Sequence, residues 1–357
     1  MKRVIGILAH ADAGKTTFSE QVLFHTHVIR SRGRVDHQDA FLDNQPIERE
    51  RGITVFSEQA VFSIQGDTFY WIDTPGHADF SGEMERALQV IDVAVVLVSG
   101  TDGVQGHTET VFDLLQQRKI PCFFFLNKLD QEGADYYQCL QDIREKLTRD
   151  AIDFGSSFSC EGEMGKELIE ELSERDDALL ETYLEEGYQK ELWLTAAREM
   201  IQDGRVFPCF GGSALQDQGV EEFLAAMHTL VQWRKEDHGN DKFCGRIYKI
   251  RHDRQGRRIV FLKVEQGLLR AKEEIIVPSG QEKVDELRIY QGEKFTTVQQ
   301  VSAGDLCAVI GLSKVTPGDS VGARLFHQPS QLVPMMAVRV QAGKEVPVQA
   351  LLSALRQ

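Results

Sequence analysis

Apolar residues in the first 230 positions gather into short unbroken runs: Val4 to Ala9, Phe69 to Asp73, Val93 to Ser99, Ile120 to Leu126 and Val206 to Gly211. Runs of this length without polar alternation predict strands buried on both faces. Between them, Phe18 to Phe24, Glu83 to Ile91, Thr108 to Gln117 and Val220 to Val231 repeat apolar residues at intervals of three and four, the spacing of one helix face. Strands alternating with helices predict an α/β fold built on a parallel, doubly wound sheet. Ligands of such a sheet belong at the carboxyl ends of its strands.

The rhythm breaks twice. Residues 155–203 form a charged stretch with helical spacing at Leu179, Leu180, Tyr183 and Leu184, predicting a helical insertion that is mostly solvated. After the polar segment Lys235 to Lys242, short alternating runs take over: Gly245 to Ile250, Ile259 to Glu265, Glu274 to Pro278, Thr296 to Val301 and Leu306 to Gly311. Glycines punctuate them, which predicts an all-β, antiparallel barrel. A strand-like Met336 to Val340 and an amphipathic Val348 to Leu355 then read as the first elements of a third domain cut short. The expected limits are 1–234 for the α/β domain, 240–328 for the barrel and 332–357 for the truncated part.

Composition narrows the reading. The net charge of −15 argues against an autonomous nucleic-acid binder. Glu161 to Glu191 holds 12 acidic against 3 basic residues, whereas Asp237 to Arg324 is slightly basic with 15 against 12. There Lys249, Arg251, Arg254, Arg257 and Arg258 form either a basic binding face or a charged hairpin edge that resists aggregation. No apolar run reaches the roughly 18 residues of a membrane span, and Val4 to Ala9 is too short for a signal-peptide core. A cytoplasmic protein without membrane contact is expected. Its six cysteines lack CxxC spacing and read as reduced and structural.

Four motifs sit at the ends of predicted strands. The stretch Ala9-x4-Gly14-Lys15-Thr16 fits a phosphate loop except that alanine replaces the first glycine. Backbone N–H groups over Ala11, Asp12, Ala13, Gly14, Lys15, Thr16 and Thr17 would face phosphates, with Lys15 reaching the β and γ oxygens and the Thr16 hydroxyl offered to Mg²⁺. Alone, it is compatible with an ordinary strand–turn–helix. In Asp73-Thr74-Pro75-Gly76-His77, Asp73 is a second candidate for Mg²⁺ and Gly76 brings a backbone amide to the γ-phosphate. In Asn127-Lys128-Leu129-Asp130, the Asp130 carboxylate accepts from the N1–H and N2 amine of guanine. Adenine offers no such pair of donors, and a site left with an unpaired buried acceptor discriminates by about 10⁴ to 10⁵. Ser213-Ala214-Leu215 supplies a backbone N–H for guanine O6. Four motifs in this order point to GTP and GDP.

Two further residues fit this chemistry. Thr54 in Arg51-Gly52-Ile53-Thr54 is placed to join Mg²⁺ when a loop closes over GTP, or else is a threonine with ordinary strand preference. His77, directly after the glycine motif, is placed to orient the attacking water, or else is a surface histidine after a Pro-Gly turn. The catalytic set is therefore His77, Lys15, Thr54 and Gly76.

Taken together, "AHADAGKTT", "RGITV", "DTPGHADF", "NKLD" and "GSAL" resemble the translational GTPases, a family in which alanine normally opens the phosphate loop. "ERERGITV", "DTPGHADFSGEMERAL" and "DGVQGHTETVF" are similar to elongation factor G. The compact insertion, "VDHQDAFLDNQPIERERGIT" and "IYKIRHDRQGRRIVFLKVEQGLLRAKEEI" look most like the tetracycline-resistance ribosomal protection proteins. The resemblance implies a P-loop GTPase domain, a translation-factor β-barrel and the start of a ferredoxin-like third domain, in a monomer. It further implies the ribosome as partner, with large-subunit RNA near His77 and the small subunit at the barrel.

No arginine is evidently supplied within the chain, so unaided hydrolysis is expected to be slow and the ribosome to accelerate it. Protection against tetracycline is the leading expectation. An elongation factor G-type translocase, a GTP-regulated binding module without turnover and an ATP-using phosphotransferase are the alternatives.

Overall fold

In the computed structural model the described residues are 1–33, 41–42, 54, 57–77, 80–160, 162–231, 242–253, 255–328, 338–341, 343 and 346–356. The first apolar run becomes β1 (Lys2–Ala9), followed along the chain by β2 (Glu58–Ile64). β1 lies between β3 (Asp67–Asp73) and β4 (Val93–Ser99) and pairs parallel with both. β5 (Cys122–Asn127), β7 (Phe207–Gly211) and β6 (Ala151–Asp153) continue the parallel ladder outward. The seven-stranded order is β2-β3-β1-β4-β5-β7-β6.

β2 corrects the expectation of a wholly parallel sheet. It runs antiparallel to β3 through the turn at Gln65 and Gly66, both of which have positive φ. Its polar positions, Glu58, Gln59 and Ser63, conceal it from a search for apolar runs. The three-residue β6 escapes the same search by being so short.

The helices are α1 (Lys15–His25), α2 (Ser81–Leu88), α3 (Gly106–Gln117), α4 (Tyr136–Lys146), α5 (Lys166–Ser173), α6 (Asp177–Glu185), α7 (Lys190–Gln202), α8 (Val220–Leu230) and, near the end, α9 (Val348–Arg356). α4 is not among the helices that apolar spacing predicts. Asp135 caps it by accepting the Gln138 N–H, a contact worth about 1 kcal/mol.

The acidic insertion is helical and solvated over most of its residues, but it also contributes an apolar stripe to the core. Leu168, Ile169 and Leu172 of α5, Leu179 of α6 and Trp193, Leu194, Ala197, Met200 and Ile201 of α7 join the same core as β1, β4 and β5. The acidic side chains occupy the outer faces, while apolar stripes at helical spacing face inward. At the centre of that core, Phe223 of α8 meets Phe18, Phe123, Phe125 and Phe210 at ring separations of 5.3 to 6.3 Å.

Residues 1–237 with 290–294 form one compact unit, and 238–289 with 295–357 form the other. Beyond residue 240 the strands are β8 (Cys244–His252), β9 (Arg258–Gln266), β10 (Leu268–Arg270), β11 (Glu274–Val277), β12 (Gly280–Lys283), β13 (Glu286–Gln291), β14 (Lys294–Val298), β15 (Gln300–Ser302), β16 (Leu306–Ile310) and β17 (Ser320–Gly322). β8, β9, β16 and β13 pair antiparallel in turn, and β17 pairs antiparallel with β8. Ile247, Val260, Leu262, Leu287 and Val309 fill the core of this unit. The expected run Thr296 to Val301 divides at Gln299 between β14 and β15. Of the strand expected over Met336 to Val340, residues 338–340 are not strand and the rest lie outside the described residues. All six cysteines are free. Burial pushes the Cys139 thiol up to about 12 and those of Cys122 and Cys307 higher still. No described helix is long and apolar enough to cross a membrane.

Phe223→Ala should lower the stability of the first unit by about 3–5 kcal/mol, the usual cost of emptying an aromatic site in a core. Urea unfolding followed by Trp71 and Trp193 fluorescence measures this, and a loss below about 1 kcal/mol would show the aromatic cluster to be peripheral.

Candidate functional site

Four strand ends, Ala9, Asp73, Asn127 and Gly211, lie along the carboxyl edge of the sheet. Ala9 is still in β1 and its methyl is packed in the core, which is why this loop tolerates alanine where a turn would need glycine. The turn itself comes later, with Asp12 at φ 64° and Gly14 at φ 90°. Gly14 is constrained twice. Its φ lies in the left-handed region, and a Cβ there would stand 2.4 Å from Asn127 Nδ2. Ala11 and Asp12 are exposed, Ala13 is buried, and Thr16 and Thr17 are half-buried on the first turn of α1.

Lys15 is buried beside the only carboxylate of the second motif. Its Nζ donates to Asp73 Oδ2 at 2.7 Å and to Thr54 Oγ1 at 3.0 Å, and Asp73 is wholly buried. Ser19 Oγ, which accepts from Trp71 Nε1 at 3.0 Å, donates to Asp73 Oδ1 at 3.4 Å. A buried cation of this kind needs an anion at hand, so Asp73 occupies the role that a phosphate oxygen would take from it. Arg51, Gly52 and Ile53 of the expected switch motif lie outside the described residues, whereas Thr54 is brought to Lys15.

Thr74 Oγ1 donates to Ile7 O at 2.6 Å, tying the second motif to β1. Gly76 follows against the phosphate loop: a Cβ there would be 3.0 Å from Ala9 O. His77 is exposed, its ring 6.2 Å from that of Phe80. Two histidines that the motif search passed over lie nearby. His107 is lowered below the usual histidine value by burial and then by His77, and His10, at 8% exposure, is lowered chiefly by burial. His10 Nδ1 lies 3.5 Å from Thr108 Oγ1, and its buried Nε2 has no hydrogen-bond partner among the described residues.

On the other side, Asn127 joins two loops with one amide. Its Nδ2 donates to Ala13 O at 2.8 Å and its Oδ1 accepts from Ala214 N at 2.9 Å. Lys128 follows at φ 63°, Leu129 N donates to Gly212 O at 3.1 Å, and Asp130 is exposed. Ser213 is buried and Leu215 is 55% exposed. Ser213 N donates to Gln218 O. Two of the three backbone donors expected at guanine O6 are thus engaged within the protein, and the Leu215 N–H is the third. Gln21, also missed, donates from Nε2 to Ala214 O at 2.6 Å. Only its position two residues after Ser19 on a helix buried nearly all round hinted at a role.

Comparisons with known proteins agree with this geometry. A family model described as the elongation factor Tu GTP binding domain matches residues 1–233, and one described as elongation factor G domain 2 matches residues 242–323. The chain is similar to the tetracycline resistance protein TetP of Clostridium perfringens, 31% identical over 344 residues that are 90% of this chain and 52% of the relative. It is similarly related to TetW of Butyrivibrio fibrisolvens, 32% identical over 325 residues, 89% of this chain and 50% of the relative. The chain therefore spans about half the length of the curated relatives it matches. A crystal structure of a Thermus thermophilus protein shares the fold, with a TM-score of 0.81 at 24% identity over 92% of this chain and 55% of that one.

Two outcomes test the site. Gly14→Ala should force Asn127 out of its bridge and weaken GDP binding by about a hundred-fold, from left-handed strain and the loss of buried hydrogen bonds together; calorimetric titration showing an unchanged affinity would contradict the crowding. Because His10 is held neutral, the unfolded chain takes up the proton first as pH falls, so stability is fully present above about pH 6.5 and is lost below it. Thermal unfolding of His10→Gln should show a shallower loss on acidification than the wild type, and an identical slope would exclude His10 as its source.

Proposed function

Because the chain belongs to the translational GTPases, with an elongation factor Tu-type GTP-binding domain and an elongation factor G-type second domain, we propose that it hydrolyses GTP to GDP and phosphate on the ribosome in the service of protection against tetracycline. The first domain binds guanine nucleotide. The observation that carries the reading is the Asn127 bridge, which sets a phosphate loop and a base-reading loop side by side at one sheet edge. We assign residues 1–234 to the nucleotide domain, 240–328 to the barrel and 332–357 to the beginning of a third domain.

In this reading the backbone N–H groups from Ala11 to Thr17 and the positive end of α1 hold the phosphates. Lys15 Nζ exchanges Asp73 for β and γ oxygens. Asp130 accepts from guanine N1–H and N2, and Lys128 flanks the base. O6 takes the Leu215 N–H and shares that of Ala214 with Asn127, while Ser213 shapes the loop. Thr16, Thr54 and Asp73 offer only oxygen donors, which suits Mg²⁺ better than a softer ion. That ion, when bound, neutralises charge on the phosphates. Gly76 brings its amide to the γ-phosphate, and His77, exposed where solvent enters, orients the attacking water. Its exposure also leaves it accessible to large-subunit RNA, as a partner-stimulated step requires. The barrel would face the small subunit.

The match of residues 242–323 to elongation factor G domain 2 also favours a second reading, an elongation factor G-type translocase. Growth of a sensitive bacterium on tetracycline with the gene present separates the two: protection supports the first, and no protection the second.

His77→Ala should leave GTP affinity within a few-fold while ribosome-stimulated phosphate release falls by about 10² to 10⁴, the range of a positioned acid–base group. Normal turnover accompanied by a large loss of affinity would refute the assignment. GTP should also protect the first domain against thermal unfolding where ATP does not, and equal protection would favour an ATP-using enzyme.

A further inference from the structure

α1 carries three buried polar residues in succession, Ser19, Glu20 and Gln21, each turned to a different loop. Ser19 reaches Asp73, and Glu20 accepts the Gly33 and Phe41 N–H groups at 2.7 Å each. Gln21 is only 3% exposed. Its Nε2 donates to Ala214 O at 2.6 Å, and its Oε1 accepts from Arg32 Nη1 at 3.0 Å. Arg32 Nη1 also donates to Asp217 Oδ2 at 3.1 Å, while His25 Nε2 lies 2.7 Å from Asp217 Oδ1. Asp217 is in the left-handed region at φ 58°, inside the turn closed by paired Ser213 and Gln218 backbone hydrogen bonds. The Arg32 guanidinium is itself held 4.9 Å over the Phe24 ring.

In a trans peptide the carbonyl and the following N–H point in opposite directions. The carbonyl gripped by Gln21 belongs to the same peptide unit as the Leu215 N–H. Fixing Ala214 O toward α1 therefore directs the Leu215 N–H away from it, and hydrogen bonding to that carbonyl polarises the N–H further. Asn127 secures the preceding peptide through Ala214 N.

We propose that Gln21 is a positioning residue for guanine recognition, orienting the Ala214–Leu215 peptide so that its N–H is presented to O6, with Arg32 and His25 fixing Gln21 and Asp217 in turn. This rests on the reading of residues 213–215 as the O6 loop. It also ties base recognition to the chain leaving α1, since Arg32 stands on the stretch that leads to Thr54.

The test compares wild type, Gln21→Leu and Arg32→Ala for affinity toward GDP, IDP, ADP and inorganic pyrophosphate. GDP and IDP both carry O6, so Gln21→Leu should weaken both by about ten-fold, one buried neutral hydrogen bond's worth. Pyrophosphate, which meets the phosphate loop alone, should keep its affinity within about two-fold. Arg32 is partly exposed, at 42% of its side chain, so Arg32→Ala should fold and show the same pattern at a few-fold. The proposal is overturned if Arg32→Ala leaves GDP and IDP unchanged, or if Gln21→Leu weakens GDP and pyrophosphate alike, which would mean general damage to α1. Wild-type protein binding GDP no better than ADP would instead overturn the guanine reading, and this proposal with it.

Discussion

One buried amide sets the geometry of the whole edge. Asn127 ends β5, and its two polar atoms reach Ala13 O in the phosphate loop and Ala214 N in the loop after β7. A buried amide with only one end satisfied would cost about 1–3 kcal/mol, so both loops must stay where they are or the amide loses a partner. Gly14 follows from the same constraint, because any side chain there would displace Asn127 Nδ2. The loop after β1 and the loop after β7 are thus one arrangement, and in the proposed reading phosphate and base recognition share it.

Opposite that fixed side, the flank at Lys15 would exchange partners in the proposed reading. Lys15, Asp73 and Thr54 satisfy one another, and each is a group that a nucleotide and its metal would recruit. Trading one anion for another at Lys15 keeps the buried charge compensated throughout. Thr54 belongs to the chain segment that α1 also anchors through Glu20. Ser19, Glu20 and Gln21 explain why α1 has no free polar face: it packs against the sheet while reaching Asp73, the Gly33 and Phe41 amides and Ala214 O at once.

The motifs were legible because glycine, lysine and paired carboxylate–amide positions have few other reasons to recur at strand ends. Parallel strands were legible as unbroken apolar runs. β2 was hidden by Glu58, Gln59 and Ser63, which resemble a loop in sequence although Glu58 and Gln59 are buried in the strand. The buried stripe of the insertion was hidden by net charge, which describes the outer faces of its helices and says little about Trp193 or Leu172 within. Gln21, His10 and His107 could not be found from spacing, because their roles depend on chain segments far away in sequence, as with the 193 residues that separate Gln21 from Ala214. In the second unit, short strands such as Ser320–Gly322 gave no periodicity long enough to register.

Hydrogen–deuterium exchange with and without GDP and Mg²⁺ tests the central claim most directly. If the Asn127 bridge makes one site of two loops, amides of residues 10–17, 127–131 and 213–216 gain protection together as nucleotide is added. Protection confined to the phosphate loop, with residues 213–216 exchanging as before, would contradict it.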